Sequence, residues 1–205
     1  MNPFSGEEER RVSDAITQAE RKTSGEIVVV VAARSDTYLY VPPLIGALAS
    51  LLVPWPLIFF TKLNVEAIYL VQPAVFLALT VLLLPPKVRT LFVPQHIKQL
   101  HAHRRAVEQF IAQNLHTTTG HTGILIFVSV AERHAEILAD AAIDARVAAG
   151  TWRSIVTDLT AAFADGKAAD GLVAAIAATG AHLARHFPPD SRNVNELPDH
   201  LIVLP

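Results

Sequence analysis

The stretch Glu26–Ala32, EIVVVVA, constrains this chain more than any other. It is β-branched and almost continuously apolar, the pattern of a strand buried on both faces. Such a strand carries backbone N–H and C=O groups that neighbouring strands must satisfy. No strand follows nearby. The chain runs instead into a hydrophobic, proline-punctuated block from about Val41 to Leu84. Any fold for this sequence has to find the partners of Glu26–Ala32 on the far side of that block.

The block holds two charge-free stretches, VPPLIGALASLLVPWPLIFF (Val41–Phe60) and AIYLVQPAVFLALTVLLLPP (Ala67–Pro86). Each is long enough to cross a bilayer core, and the short polar turn TKLNVE joins them, so residues 41–86 read as a transmembrane hairpin. Pro54, Pro56 and Pro73 would kink its helices, which bilayers tolerate. Trp55 falls late in the first span, near an interface or beside the Pro-Trp-Pro kink. The competing reading is a buried hairpin of a soluble protein, but two adjacent charge-free stretches of spanning length seldom occur in soluble cores. A signal peptide fits worse, because the first forty residues are polar and precede the block. The chain is 51% hydrophobic and 18% charged, and most of that excess lies in the block. Arg21, Lys22 and Arg34 precede the first span, and Lys87, Arg89, Lys98, Arg104 and Arg105 follow the second. The turn carries only Lys62. By the positive-inside rule both termini face the cytoplasm. This predicts a two-pass protein of the inner (plasma) membrane with the lipid bilayer as partner. The net charge of −2 gives no support to nucleic-acid binding. The absence of cysteine excludes disulfides, a thiol nucleophile and thiolate metal sites.

The flanks read as one α/β domain. Ser5 and Glu8 have the spacing of a capping box, and Val12, Ala15, Ile16 and Ala19 share one helical face. Gly25 follows, where a left-handed C-cap is expected. After the block, QHIKQLHAHRRAVEQFIAQNL is an amphipathic helix with Leu100, Val107, Phe110 and Ile111 as its apolar side. TGILIFVSVAERHAEILADAAI then reads as a hairpin turning at AERH. Its first arm, Ile124–Val130, matches Glu26–Ala32 in character and supplies the missing partner. A lone helix and strand of about thirty residues cannot bury enough surface to fold alone. The domain is therefore expected to comprise residues 1–40 and 95–205, with 41–86 inserted after the first strand. DAAIDARVAAG reads as a helix ending at Gly150. Thr151 caps the next, whose Trp152, Ile155, Val156, Leu159 and Phe163 face inward. A last helix repeats Leu172, Ile176 and Leu183, and the Pro- and Asn-containing tail packs extended across the domain.

Several of these stretches together carry a family likeness: TSGEIVVVV, HTGILIFVSVAERHAEILADAAI, the helix around Trp152, ADGLVAAIAATGAHLARHFP and NELPD. They resemble the TPM domain family, which includes a plant thylakoid-lumen protein and bacterial membrane proteins. The chain is similar to the branch in which a membrane hairpin interrupts the domain after its first strand. The resemblance implies an α/β fold, a small central β-sheet sandwiched by helices. It also implies acid phosphatase activity and divalent-cation binding, properties assigned to members, and a polar site at the sheet's edge. Many members begin the second strand with Asp-Asn-Gly or a similar sequence. Here that position reads Gly120-His121-Thr122-Gly123. The family's glycine-rich acidic turn after the third strand corresponds to ADAAID, where the glycines are gone and Asp140 and Asp144 remain.

Asp140 and Asp144, one helical turn apart, form a pair able to hold Ca²⁺ or Mg²⁺ with carbonyls and water. The alternative is that Asp140 simply caps a helix. Glu26, opening the first strand, is a third candidate ligand, at an end of the sheet that the sequence leaves open. His121 belongs to the altered turn. His182 and His186 have the i, i+4 spacing of a helical metal pair, but no acidic residue sits between them, and a solvated helix end explains them as well. His134 falls in the hairpin turn and is expected to be exposed. The basic run HIKQLHAHRR suits anionic headgroups as well as the topology signal. No Gly-x-Ser-x-Gly elbow, Asp-x-Asp motif or phosphate loop is present. Catalysis would therefore have to be metal-dependent. The sequence reads best as a non-catalytic binding or assembly accessory that engages a membrane protein complex. The alternative is a divalent-metal-dependent acid phosphatase-like phosphomonoesterase.

Overall fold

The capping box forms as the sequence predicts: Ser5 Oγ accepts from the Glu8 N–H and the Glu8 carboxylate accepts from the Ser5 N–H, starting α1 (Gly6–Glu20). Val12, Ile16 and Ala19 are its buried stripe. The computed structural model of the protein describes residues 4–148, 150–189 and 195–205, so positions 190–194 of the tail lie outside the described residues. The chain divides into two compact units, one from residues up to Ser35 together with Gln99–Pro205, the other Asp36–Lys98.

In the first unit, β1 (Glu26–Ala32) pairs in parallel with β2 (Gly123–Ser129) along its whole length, Glu26 opposite Gly123 and Ala32 opposite Ser129. Its partner is thus encoded beyond the apolar block. β2 turns into antiparallel β3 (His134–Ala139). On the other side of β1 lies β4 (Leu201–Leu204), again parallel. The order is β3-β2-β1-β4, a mixed four-stranded sheet. The extended tail expected from the sequence therefore ends as a fourth strand.

Alternation along the two central strands builds two cores. Ile27, Val29, Val31, Ile124, Ile126 and Val128 face one way. There they meet α1, α8 (Thr151–Ala164) and α9 (Ala168–His186) through Ile16, Ile155, Leu159, Leu172, Ile176 and Leu183. Val28, Val30, Leu125 and Phe127 face the opposite side and meet Ala106 and Phe110 of α6 (Gln95–Ala112) and Leu115. The result is a small sheet sandwiched between helices.

Five local expectations are corrected. Gly25 is not a left-handed cap. It is there for space, since a Cβ would lie 3.0 Å from Leu183 and 3.3 Å from the Thr122 carbonyl. The helix after Asp140 is one turn, α7 (Ala141–Asp144), and Gly150 rather than Thr151 is the N-cap of α8. The Thr151 hydroxyl donates to the Ala148 carbonyl instead. His134 opens β3 and is half-buried rather than exposed. Finally, α6 turns Ala102, Ala106 and Gln109 inward and leaves Leu100, Val107 and Ile111 in the open.

In the second unit, α2 (Val41–Leu52) runs on into α3 (Pro54–Phe60), and Val53 between them keeps helical angles. Asn64 caps α4 (Val65–Leu83) by accepting from the Ala67 N–H at 3.0 Å. α2 packs on α4 where Gly46 lets the helices close: a Cβ there would lie 2.7 Å from Thr80 Oγ1. The short α5 (Pro86–Arg89) follows. Val41–Phe60 and Val65–Leu83 are both long and apolar enough to cross a membrane, and little of either is buried.

Candidate functional site

Parallel pairing of β1 with β2, and the return of β3, bring Glu26, His121, Asp140 and Asp144 to one end of the sheet. Glu26 starts β1 beside Gly123, and the Asp140 N–H donates to the Gly123 carbonyl at 2.9 Å. The loop before β2 is tied by Thr118, whose hydroxyl accepts from the Thr122 N–H, and by the Thr122 hydroxyl, which donates to the Ser24 carbonyl. His121 takes a left-handed backbone conformation there (φ 50°), a region where His is enriched.

Two of the three candidate carboxylates at this end already have work. Asp140 Oδ1 accepts from the Ala141 N–H at 2.7 Å, capping α7, and its Oδ2 lies 3.2 Å from Nδ1 of the exposed His121. Asp144 is exposed. Glu26 is buried, and its two oxygens accept from the N–H groups of Glu196 and Leu197 at 3.3 and 3.2 Å. Burial pushes the Glu26 carboxyl up, and those two backbone bonds work against the shift. Among the described residues no group of three or more His, Asp or Glu side chains is placed to hold a metal ion. Asp140, Asp144 and Glu26 share a sheet end without being gathered into such a group.

The sequence reading missed Glu20. Its Oε1 accepts from the Ile27 N–H at 2.7 Å, while Oε2 is buried. Burial pushes this carboxyl up to about 9; the Ile27 bond opposes the shift, while the Glu26 charge and the nearby Asp199 carboxylate reinforce it. Burial thus favours the neutral acid at Glu20, whose Oε2 finds no hydrogen-bond partner. Asp199 accepts from Thr17 Oγ1 (2.8 Å) and Asn195 Nδ2 (2.6 Å). These groups line a cavity of about 370 Å³ with Arg21 and Pro189. A signal existed in the sequence: Glu20 ends α1, where the helix dipole disfavours a negative charge, and no basic residue sits in that turn.

Two other polar clusters lie elsewhere on the sheet. At the carboxyl ends of β1 and β2, the Ser35 hydroxyl donates to Ser129 Oγ and Ser129 donates to the buried Glu132 carboxylate, which also accepts from the Ser35 N–H. On β3, Glu136 lies 2.9 Å from His103 Nδ1 and 3.6 Å from His134 Nε2. Burial raises the Glu136 carboxyl, but the two histidines outweigh it and hold it below its usual range. His182 rests edge-on against Trp152, ring centres 5.9 Å apart.

The fold and this site define a small α/β domain whose polar end is an interlock of carboxylates and main chain. Residues 87–182 match the TPM domain family. Among solved structures it is similar to the NMR structure of the BA42 protein from the psychrophilic bacterium Bizionia argentinensis. The TM-score is 0.60 at 21% identity, over 98% of this chain and 94% of that one, a likeness of fold. No curated protein matches the chain.

Proposed function

We propose that this protein is a two-pass inner-membrane TPM-domain protein whose cytoplasmic α/β unit acts as a non-catalytic binding or assembly element for a membrane protein complex. One observation carries the reading: two of the three candidate carboxylates at the polar end, Asp140 and Glu26, are committed to holding the fold. Asp140 caps a helix and meets His121, and Glu26 ties down the tail through two backbone bonds. A metal-dependent phosphomonoesterase would need free oxygens converging on one ion and a water. These groups would first have to leave their present partners. The membrane part of the reading is supported by exposed apolar surface on both candidate spans, including Leu48, Leu52, Phe59, Leu70 and Leu82. The basic residues outside the spans then set both termini in the cytoplasm.

Two measurements test it. Phosphomonoester hydrolysis by the full chain in mild detergent is assayed with Ca²⁺, Mg²⁺ or EDTA. Divalent-dependent turnover abolished by Asp140→Asn or Asp144→Asn would overturn the accessory reading. Labelling of Ser5→Cys and Lys62→Cys in spheroplasts is expected to reach only the second from outside.

A further inference from the structure

α6 is amphipathic in an unexpected sense. Its sheet-facing side is small, with Ala102 and Ala106 buried beside Gln109. Its opposite side carries Leu100, Val107 and Ile111, which are 61%, 38% and 56% exposed. Arg104, whose side chain is 78% exposed, lies among them. At 3.6 residues per turn these four positions fall within about 60° of one another. An apolar stripe on a helix of the sheet-bearing unit, pointing away from its core, calls for a cover.

The charge beside the stripe says what kind. α6 carries Lys98, Arg104 and Arg105 against a single acid, Glu108, which bonds to both arginines at 3.2 Å. An apolar stripe with Arg104 set within it suits a helix lying in a headgroup layer, where the apolar side chains dip in and the guanidinium meets anionic lipid. Chain length agrees. Only residues 84–94 separate α4 from α6, at most about 40 Å when fully extended. Part of that stretch is already coiled as α5 and a following 3₁₀ turn, Thr90–Phe92.

We propose that the Leu100–Arg104–Val107–Ile111 face of α6 is a bilayer-docking surface that lies in the headgroup layer, with anionic lipid as the ligand of its basic residues. The proposal rests on the membrane reading of α2–α4. It gives the α/β unit a second attachment besides the spans and fixes which of its faces remains free for a partner.

The chain has no native cysteine, so single labels report cleanly. A fluorophore is placed on Leu100→Cys, Val107→Cys or Ile111→Cys. Phe59→Cys serves as the reference for the span, and Thr157→Cys, exposed on α8, as the reference for the opposite side of the sheet. The full chain is reconstituted in phosphatidylcholine–phosphatidylglycerol vesicles containing brominated lipid. The three α6 labels are expected to be quenched several-fold more than the Thr157 label. That quenching should weaken in phosphatidylcholine alone, at high salt, and in Arg104→Glu/Arg105→Glu. If they quench no more than the Thr157 label while Phe59 is quenched, the docking surface is wrong and the membrane reading stands. Shielding of the α6 labels from both brominated lipid and aqueous iodide means protein covers the stripe, which also overturns the proposal. An unquenched Phe59 label overturns the membrane reading and the proposal with it.

Discussion

Glu20→Gln separates a proton held by the fold from one lost to solvent. In the folded chain the Glu20 carboxyl is pushed up to about 9 by burial, and in the unfolded chain it returns to the ordinary value of 4.5. Between those values the folded state keeps a proton that the unfolded state releases, so stability falls as pH rises. Below 4.5 both states are protonated and the group costs nothing. Above 9 both are ionised and the full penalty is reached. At about 1.36 kcal/mol per pH unit, the wild type should lose about 4 kcal/mol between pH 5 and pH 8 from this group alone. Glutamine keeps the shape. Its carbonyl accepts from the Ile27 N–H as Oε1 does now, and its amide donates towards Asp199 without a titrating proton. The variant should match wild type within about 1 kcal/mol at pH 5 and exceed it by several at pH 8, with a flatter pH profile. The assay is urea denaturation of the full chain in mild detergent. Trp152 fluorescence is followed in a Trp55→Phe background, so that only the sheet-bearing unit reports. A wild-type midpoint unchanged from pH 5 to 8, or no gain from glutamine at pH 8, would show Glu20 ionised in the fold and refute the reasoning.

Ile126→Ala, at the centre of β2 and fully buried, should cost about 2–5 kcal/mol by the same denaturation. Gly123→Ala places a Cβ 2.5 Å from the Leu115 carbonyl oxygen, a backbone atom that cannot step aside, so a loss of about 1–3 kcal/mol is expected. Asp140→Asn should be close to neutral because Asn caps as well as Asp, whereas Asp140→Ala should cost about 1 kcal/mol. Thermal melts of both in EDTA, Ca²⁺ and Mg²⁺ should coincide, and a cation-dependent rise lost in Asp144→Asn would reveal a metal site. A chain begun at Gln95 lacks β1, the strand between β2 and β4, and should aggregate. A cooperative melt at wild-type stability would show that β1 is dispensable.

Local chemistry was legible in the sequence. The Ser5–Glu8 capping box needs only residues three apart. Glu26–Ala32 and Ile124–Val130 read as doubly buried strands because they are almost continuously apolar, and that requirement forced the pairing across the intervening block. The apolar stretches Val41–Phe60 and Ala67–Pro86 stand out by length and lack of charge. What depends on distant partners was not legible. LIVL at Leu201–Leu204 is too short to announce a strand until it lies beside Val29–Ala32. The inward side of α6 could not be chosen from hydropathy, because Ala102 and Ala106 satisfy the sheet better than the larger Leu100 and Ile111. Asp199 is unremarkable where it stands in the chain, and neither Glu20 nor Glu26 points to it. Only the fold brings the end of α1, the start of β1 and the approach to β4 into one low-dielectric corner, and there proximity and desolvation, which no local pattern encodes, set the protonation of Glu20.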